Sequence, residues 1–139
     1  MTVVDPAERC DGAHRLLALA PTSPAHRRGA AVMARQAIES SVHTAMGRED
    51  VPDLRWRTRF LVLANLFPTV DARRGHTLWS AWSQVCHYHH YDLLPAAAVI
   101  AHRIDETTAW VEDVLRALPT APPRFRPESV SQPVRMVTP

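Results

Sequence analysis

The stretch PAHRRGAAVMARQAIESSVHTAM, residues 24–46, decides the fold, because it has the pattern of one long helix with a face of small side chains. Small residues recur there at spacings of three and four: Ala30, Ala34, Ala37, Ser41 and Ala45. Residues at these spacings share one side of a helix, and small side chains let a second helix approach closely. Ser23-Pro24 is typical of a helix start and Gly47 of a helix end. We therefore predict a helix over residues 24–46.

Helix signals continue on both sides of this segment, and the sequence lacks convincing strand patterns. The capping residues Asp5 and Asp71, together with prolines, predict further helices near residues 6–20, 53–67, 71–91 and 95–118. The last of these carries a mostly apolar seam at near-heptad spacing: Ile100, Ile104, Thr107, Val111, Val114 and Leu118. We therefore expect an all-α domain over residues 1–118, built as an antiparallel four- to five-helix bundle.

The composition changes after residue 118. Residues 119–139 hold six of the 12 prolines, carry several arginines and show no apolar periodicity. Such a segment does not bury enough apolar surface to join a core. We expect it to form an extended Pro/Arg-rich C-terminal arm.

The bulk composition excludes several classes of protein. The formal net charge is +2, from 16 basic residues (all of them arginine) and 14 acidic residues, so charge alone makes no strong case for nucleic acid. Two cysteines exclude a disulfide-rich scaffold. The start MTVVDPAERC lacks a signal-peptide pattern, and apolar runs such as FLVLA are far too short to span a bilayer. We expect a soluble, cytoplasmic protein that does not enter a membrane.

Chemistry-bearing side chains concentrate in CHYHHY, Cys86–Tyr91, which contains three of the eight histidines. Histidine exchanges a proton near neutral pH, which suits acid–base work or phosphate recognition. Cys86 and His90 are four residues apart, so they also make half of a zinc site on one helical face. Its other ligands would come from elsewhere in the chain, and His43, His76 and His102 are candidates. A histidine buried in an ordinary core is the third interpretation of this segment.

The segment QVCHYHHY, Gln84–Tyr91, resembles the late motif of HEPN domains, in which an arginine is followed by a histidine and then by a tyrosine. His89 matches the family histidine and Tyr91 the tyrosine, whereas Gln84 stands where the family has arginine. The resemblance covers the helical architecture of about residues 6–118, and only this short motif is specific. It implies a metal-independent endoribonuclease of a toxin–antitoxin or defence system, with His89, Tyr91 and Gln84 as catalytic residues and no cofactor.

The departure at Gln84 removes a positive charge, because glutamine donates a hydrogen bond but does not neutralise a phosphate. Arginines of RWRTRF are candidates to replace it, and Arg55 and Arg59 are four residues apart. Together with His87 and His90 they are the expected substrate-binding residues. A homodimer would complete the cleft, since one motif offers few groups.

Two alternatives stay open. The first is a non-catalytic helical module that dimerises and binds a protein partner, such as an antitoxin. The second is a small zinc-binding helical protein. RNA is the expected partner only under the HEPN-like interpretation.

Overall fold

A computed structural model describes residues 5–87 and 94–119. This part of the chain contains no strand, and its α-helices are α1 Pro6–Leu19, α2 Pro24–Met46, α3 Trp56–Leu66, α4 Ala72–His87 and α5 Ala97–Ala117. A single 3-10 turn, Gly47–Glu49, follows α2 directly. The all-α prediction is confirmed, and the predicted bounds of α2 agree with the observed ones. None of the described helices is both long and apolar enough to cross a bilayer.

Helix α2 lies at the centre and contacts all four other helices. The small side chains of α2 make these contacts possible. Four alanines are fully excluded from solvent: Ala30, Ala31, Ala34 and Ala37. Methyl-sized side chains bring the axes of packed helices close together, so α2 serves as the shared surface of the core.

Neighbouring helices run antiparallel, as their pairwise contacts show. On α1 and α2, Met33 packs over Gly12 and Leu16 packs over Gly29. The later residue of α1 therefore contacts the earlier residue of α2, as in an antiparallel pair. On α3 and α4, Trp56 stacks on Trp79 with ring centroids 5.7 Å apart, and the later Phe60 packs against the earlier His76 at 5.4 Å. These contacts confirm the predicted antiparallel arrangement for both helix pairs.

The polar residue in the apolar seam of α5 has a structural role. Thr107 is fully buried, and its hydroxyl accepts a hydrogen bond from Trp82 Nε1 at 2.9 Å while donating to the Arg103 carbonyl at 2.8 Å. The indole N–H of a fully buried tryptophan needs such a partner, because leaving a buried donor unpaired costs about 1–3 kcal/mol. Thr107 therefore fixes α5 against α4.

Predicted helix starts are confirmed at three capping residues. Asp5 Oδ1 accepts from the Ala7 N–H, Ser23 Oγ from the His26 N–H, and Asp71 Oδ1 from the Arg74 N–H. Each bond satisfies a donor that lacks a partner within its helix. At the other end of α2, Gly47 has φ 54°, a conformation that glycine adopts without steric cost. Local chemistry thus sets these ends.

Two predicted helix starts are too early. The third helix begins at Trp56 instead of residue 53, because the Leu54 N–H donates to the Val51 carbonyl and closes a turn. The fifth begins at Ala97, since Ala96 has the extended ψ of a capping position, 151°. The predicted continuation of the fourth helix through residues 88–91 and the predicted arm lie outside the described residues, apart from the exposed Pro119.

Gly75 allows α4 to approach α5. A Cβ at this position would lie well inside the contact distance of the Trp110 ring. We expect Gly75→Ala to destabilise the fold by about 1–3 kcal/mol through overpacking, although alanine is favoured over glycine within helices by about 1 kcal/mol. Urea denaturation measures the difference. The control Thr77→Ala, at an exposed site of α4, should stay within about 0.5 kcal/mol, and a Gly75→Ala protein of wild-type stability would contradict the packing described here.

Candidate functional site

The structure describes two of the five site residues predicted in the segment Gln84–Tyr91. Gln84 and His87 are exposed on the last turns of α4. On the opposite side of the helix, Trp82 and Val85 are buried, as the helical periodicity predicts. The other predicted residues of the motif, His89, His90 and Tyr91, lie outside the described residues.

The two arginines predicted to bind substrate together are in different surroundings. Arg55 is exposed and immediately precedes α3. Arg59 is buried, with 8 % of its surface exposed, and its guanidinium donates to Asp50 Oδ1 at 2.8 Å and to the Val51 carbonyl at 3.2 Å. The Arg59 guanidinium is therefore engaged inside the fold, so these two side chains do not present one basic surface.

Asp50, which binds Arg59, also contacts His43, a residue that the sequence suggested only as a zinc ligand. Asp50 has a side chain only 2 % exposed, and its second carboxylate oxygen contacts Nδ1 of His43. The His43 side chain is 71 % exposed. We call these three residues the His43–Asp50–Arg59 cluster. Its buried carboxylate is neutralised on one side by a guanidinium and holds an exposed imidazole on the other.

This geometry has a definite chemical use. Asp50 Oδ2 lies against Nδ1 of His43, and an imidazole with its proton on Nδ1 has a lone pair on Nε2. Asp50 fixes the orientation of the ring, and Arg59 fixes Asp50. His43 lies in the last turn of α2, so its exposed ring can reach a ligand in solvent. The cluster has the parts of an oriented general base.

A second histidine–aspartate contact provides a comparison. His14 Nε2 lies 3.1 Å from Asp105 Oδ1, but the Asp105 side chain is 70 % exposed. A solvated carboxylate holds its partner weakly, because water screens the interaction and both side chains lose conformational freedom. Burial of the carboxylate therefore distinguishes the contact at His43 from the one at His14.

A cleft opens between the antiparallel helices α3 and α4. Its volume is about 260 Å³. Apolar side chains form most of the wall: Phe60, Leu61, Ala64 and Ala72. Arg57, Arg73 and His76 complete it. We call this feature the α3–α4 cleft.

The polar groups of the α3–α4 cleft are held differently. His76 packs edge-on against Phe60 with centroids 5.4 Å apart and stacks on Trp79 at 6.2 Å, so its ring is fixed. Arg57 and Arg73 are exposed and form no ion pair with a residue in the described part of the chain. Both guanidiniums are therefore available to an anion.

Metal ligation has little support within residues 5–87 and 94–119. No three histidine, cysteine or acidic side chains of this region come together as a metal site. Burial raises the pKa of the Cys86 thiol, although the nearby Arg35 opposes the shift. A protonated thiol is a poor ligand and a poor nucleophile. The predicted Cys86–His90 pair is not tested, because His90 lies outside the described residues.

Comparison of the chain with protein-family models, curated proteins and solved structures found no match. Function is therefore inferred from the His43–Asp50–Arg59 cluster and the α3–α4 cleft. The first signal that sequence analysis missed was a histidine in the last turn of a helix followed by an aspartate just beyond its glycine stop. The second lay in RWRTRF, where sequence analysis named Arg55 and Arg59 and missed Arg57.

Arg59 and Arg57 differ by two positions and should differ strongly in their effect on stability. Arg59→Met leaves the buried Asp50 carboxylate without its cation, so we expect a loss of about 3–5 kcal/mol. Arg57→Met removes an exposed charge and should change stability by no more than about 0.5 kcal/mol. Chemical denaturation of both variants checks this. Equal effects would show that Arg59 does not hold the turn before α3.

Proposed function

We propose that this chain is a HEPN-like helical domain that binds RNA and cleaves it without a metal ion. The observation that supports this most is the exposed His43 imidazole held by the buried Asp50 carboxylate. Cleavage without a metal depends on side chains that move protons near neutral pH, and an oriented histidine is the group best suited to that task.

In the mechanism that we propose, the substrate supplies its own nucleophile. The hydroxyl next to His43, that of Thr44, already donates to the Ser40 carbonyl. The Cys86 thiol is protonated at neutral pH, because burial raises its pKa. In RNA the 2′-hydroxyl lies beside the phosphate and can act as the nucleophile. DNA lacks this group, so RNA is the phosphodiester that fits this mechanism.

The reaction is a transesterification. Nε2 of His43 takes the proton of the 2′-hydroxyl, and the 2′ oxygen bonds to phosphorus. The bond from phosphorus to the 5′ oxygen breaks, and that oxygen takes a proton from water. The products are a 2′,3′-cyclic phosphate end and a 5′-hydroxyl end, and His43 returns its proton to solvent. Asp50 stabilises the imidazolium that forms in this step.

The resemblance to HEPN domains assigns the acid–base role to His89 instead, with Tyr91 and Gln84 orienting the phosphate. That assignment stays a prediction, as does the homodimer. A non-catalytic module that binds a protein partner is the remaining alternative. It predicts no cleavage under any condition.

The sharpest test is cleavage of single-stranded RNA in excess chelator by two matched variants. We expect His43→Ala to lower the cleavage rate at least about 100-fold, because general acid–base catalysis contributes about 10²- to 10⁴-fold. His14→Ala, which removes the solvated histidine–aspartate contact, should cleave like the wild type. An oligonucleotide with deoxyribose throughout should stay intact.

The outcomes separate the proposals. Cleavage at the wild-type rate by His43→Ala contradicts the role of the cluster. If His89→Ala alone abolishes cleavage, the family motif holds the base. Loss of activity in chelator, restored by added zinc, contradicts the metal-independent mechanism. Thermal denaturation of each variant shows whether it is folded.

A further inference from the structure

We propose that the α3–α4 cleft binds one unstacked nucleobase and an adjacent phosphate of a single-stranded RNA. The choice of RNA rests on the proposed function, but the binding does not require cleavage. The cleft is formed by α3 and α4 alone, and none of its lining residues belongs to the His43–Asp50–Arg59 cluster.

The size of the cleft limits what it accepts. Sites for drug-sized ligands usually enclose about 300–1,000 Å³, and this cleft encloses about 260 Å³. It therefore suits one small ring system. Phe60 is buried in the core, so the exposed Leu61 and Ala64 side chains and the half-buried His76 ring provide the surface for a base.

His76 adds a polar edge to this surface. Its ring is held by Phe60 and Trp79, and it forms no hydrogen bond with a residue in the described part of the chain. Imidazole carries one donor and one acceptor when neutral. A fixed ring with both capacities can meet the hydrogen-bonding edge of a base, which a purely apolar ligand would leave unsatisfied.

Two arginines at the cleft, Arg57 and Arg73, favour an anionic ligand. Arg57 and Arg73 lie in the first turns of α3 and α4, and neither turn contains an acidic residue. The helix dipole disfavours cations at this end, so the two arginines do not serve the stability of their helices. Arg74, the next residue along α4, is bonded to Glu106 at 2.8 Å. Arg57 and Arg73 have no such partner among the described residues, which leaves them to bind phosphate.

A single-stranded RNA fits these features better than other anions. A lipid surface or an acidic peptide would engage the two arginines, but neither places a planar polar ring in the cleft. A duplex keeps its bases stacked and paired. Unlike a duplex, a single strand offers an unpaired base together with its phosphate.

The test measures binding in chelator, with a fully 2′-methoxy oligoribonucleotide as the probe so that cleavage does not interfere. We expect Arg57→Ala/Arg73→Ala to weaken binding at least tenfold and to reduce its salt dependence, because fewer phosphates are neutralised. Ala64→Phe keeps every charge and fills the cleft from an exposed position. It should also weaken binding about tenfold. Melting temperatures confirm that the variants are folded.

The matched control removes the same charge elsewhere. Arg9→Ala/Arg15→Ala alters two arginines of α1, a helix that contacts neither α3 nor α4. It should change affinity no more than about threefold, through the general field alone. A duplex of the same sequence should bind more weakly than the single strand.

Three results would overturn the inference. The first is cleft variants that bind like the α1 control, and the second is a duplex that binds as well as the single strand. The third is binding of a nucleoside monophosphate with none of the oligonucleotide. Failure of the proposed function looks different: the wild type would bind the probe in the cleft and leave unmodified RNA intact. Conversely, cleavage by a protein whose cleft variants bind normally would refute only the cleft.

Discussion

The close approach of four helices to the small-residue face of α2 is the constraint on which the rest of the structure depends. Its alanines let the other helices pack closely, and this packing excludes them from solvent. Helix α2 must therefore run unbroken to Met46, where Gly47 ends it with a positive φ. That ending fixes His43 in the last turn and places Asp50 directly beyond the following 3-10 turn. The packing of the core thus determines where the candidate base lies.

The Asp50–Arg59 ion pair connects this core to the exposed His43 ring. The Arg59 guanidinium holds the Asp50 carboxylate and two carbonyls of the preceding turn, so α3 begins later than its sequence pattern suggests. Arg59 also lies over the Trp56 ring, 4.6 Å from its centroid, and Trp56 in turn stacks on Trp79. The start of α3 is therefore rigid. One ion pair orients the His43 ring and sets the position of the first turn, which contributes Arg57 to the α3–α4 cleft.

Much of the fold could be predicted from the sequence, because its signals are local. Asp5, Ser23 and Asp71 cap the helices that they were expected to cap, and the apolar seam of α5 is buried up to Val114. The candidate site was less predictable. Nothing in RWRTRF distinguishes the buried Arg59 from the exposed Arg57, since only the turn before α3 decides which guanidinium meets Asp50. The contact of His43 with Asp50 and the α3–α4 cleft both arise from tertiary structure.

The central proposal is that this bundle binds single-stranded RNA at the α3–α4 cleft and at His43. Nuclear magnetic resonance of the imidazole and guanidinium side chains, during titration with a non-cleavable 2′-methoxy oligoribonucleotide, tests it most directly. We predict that the signals of His43, His76, Arg57 and Arg73 shift together, with the same saturation point, while the signals of His14 stay in place. Shifts confined to other residues, or none at all, would contradict it.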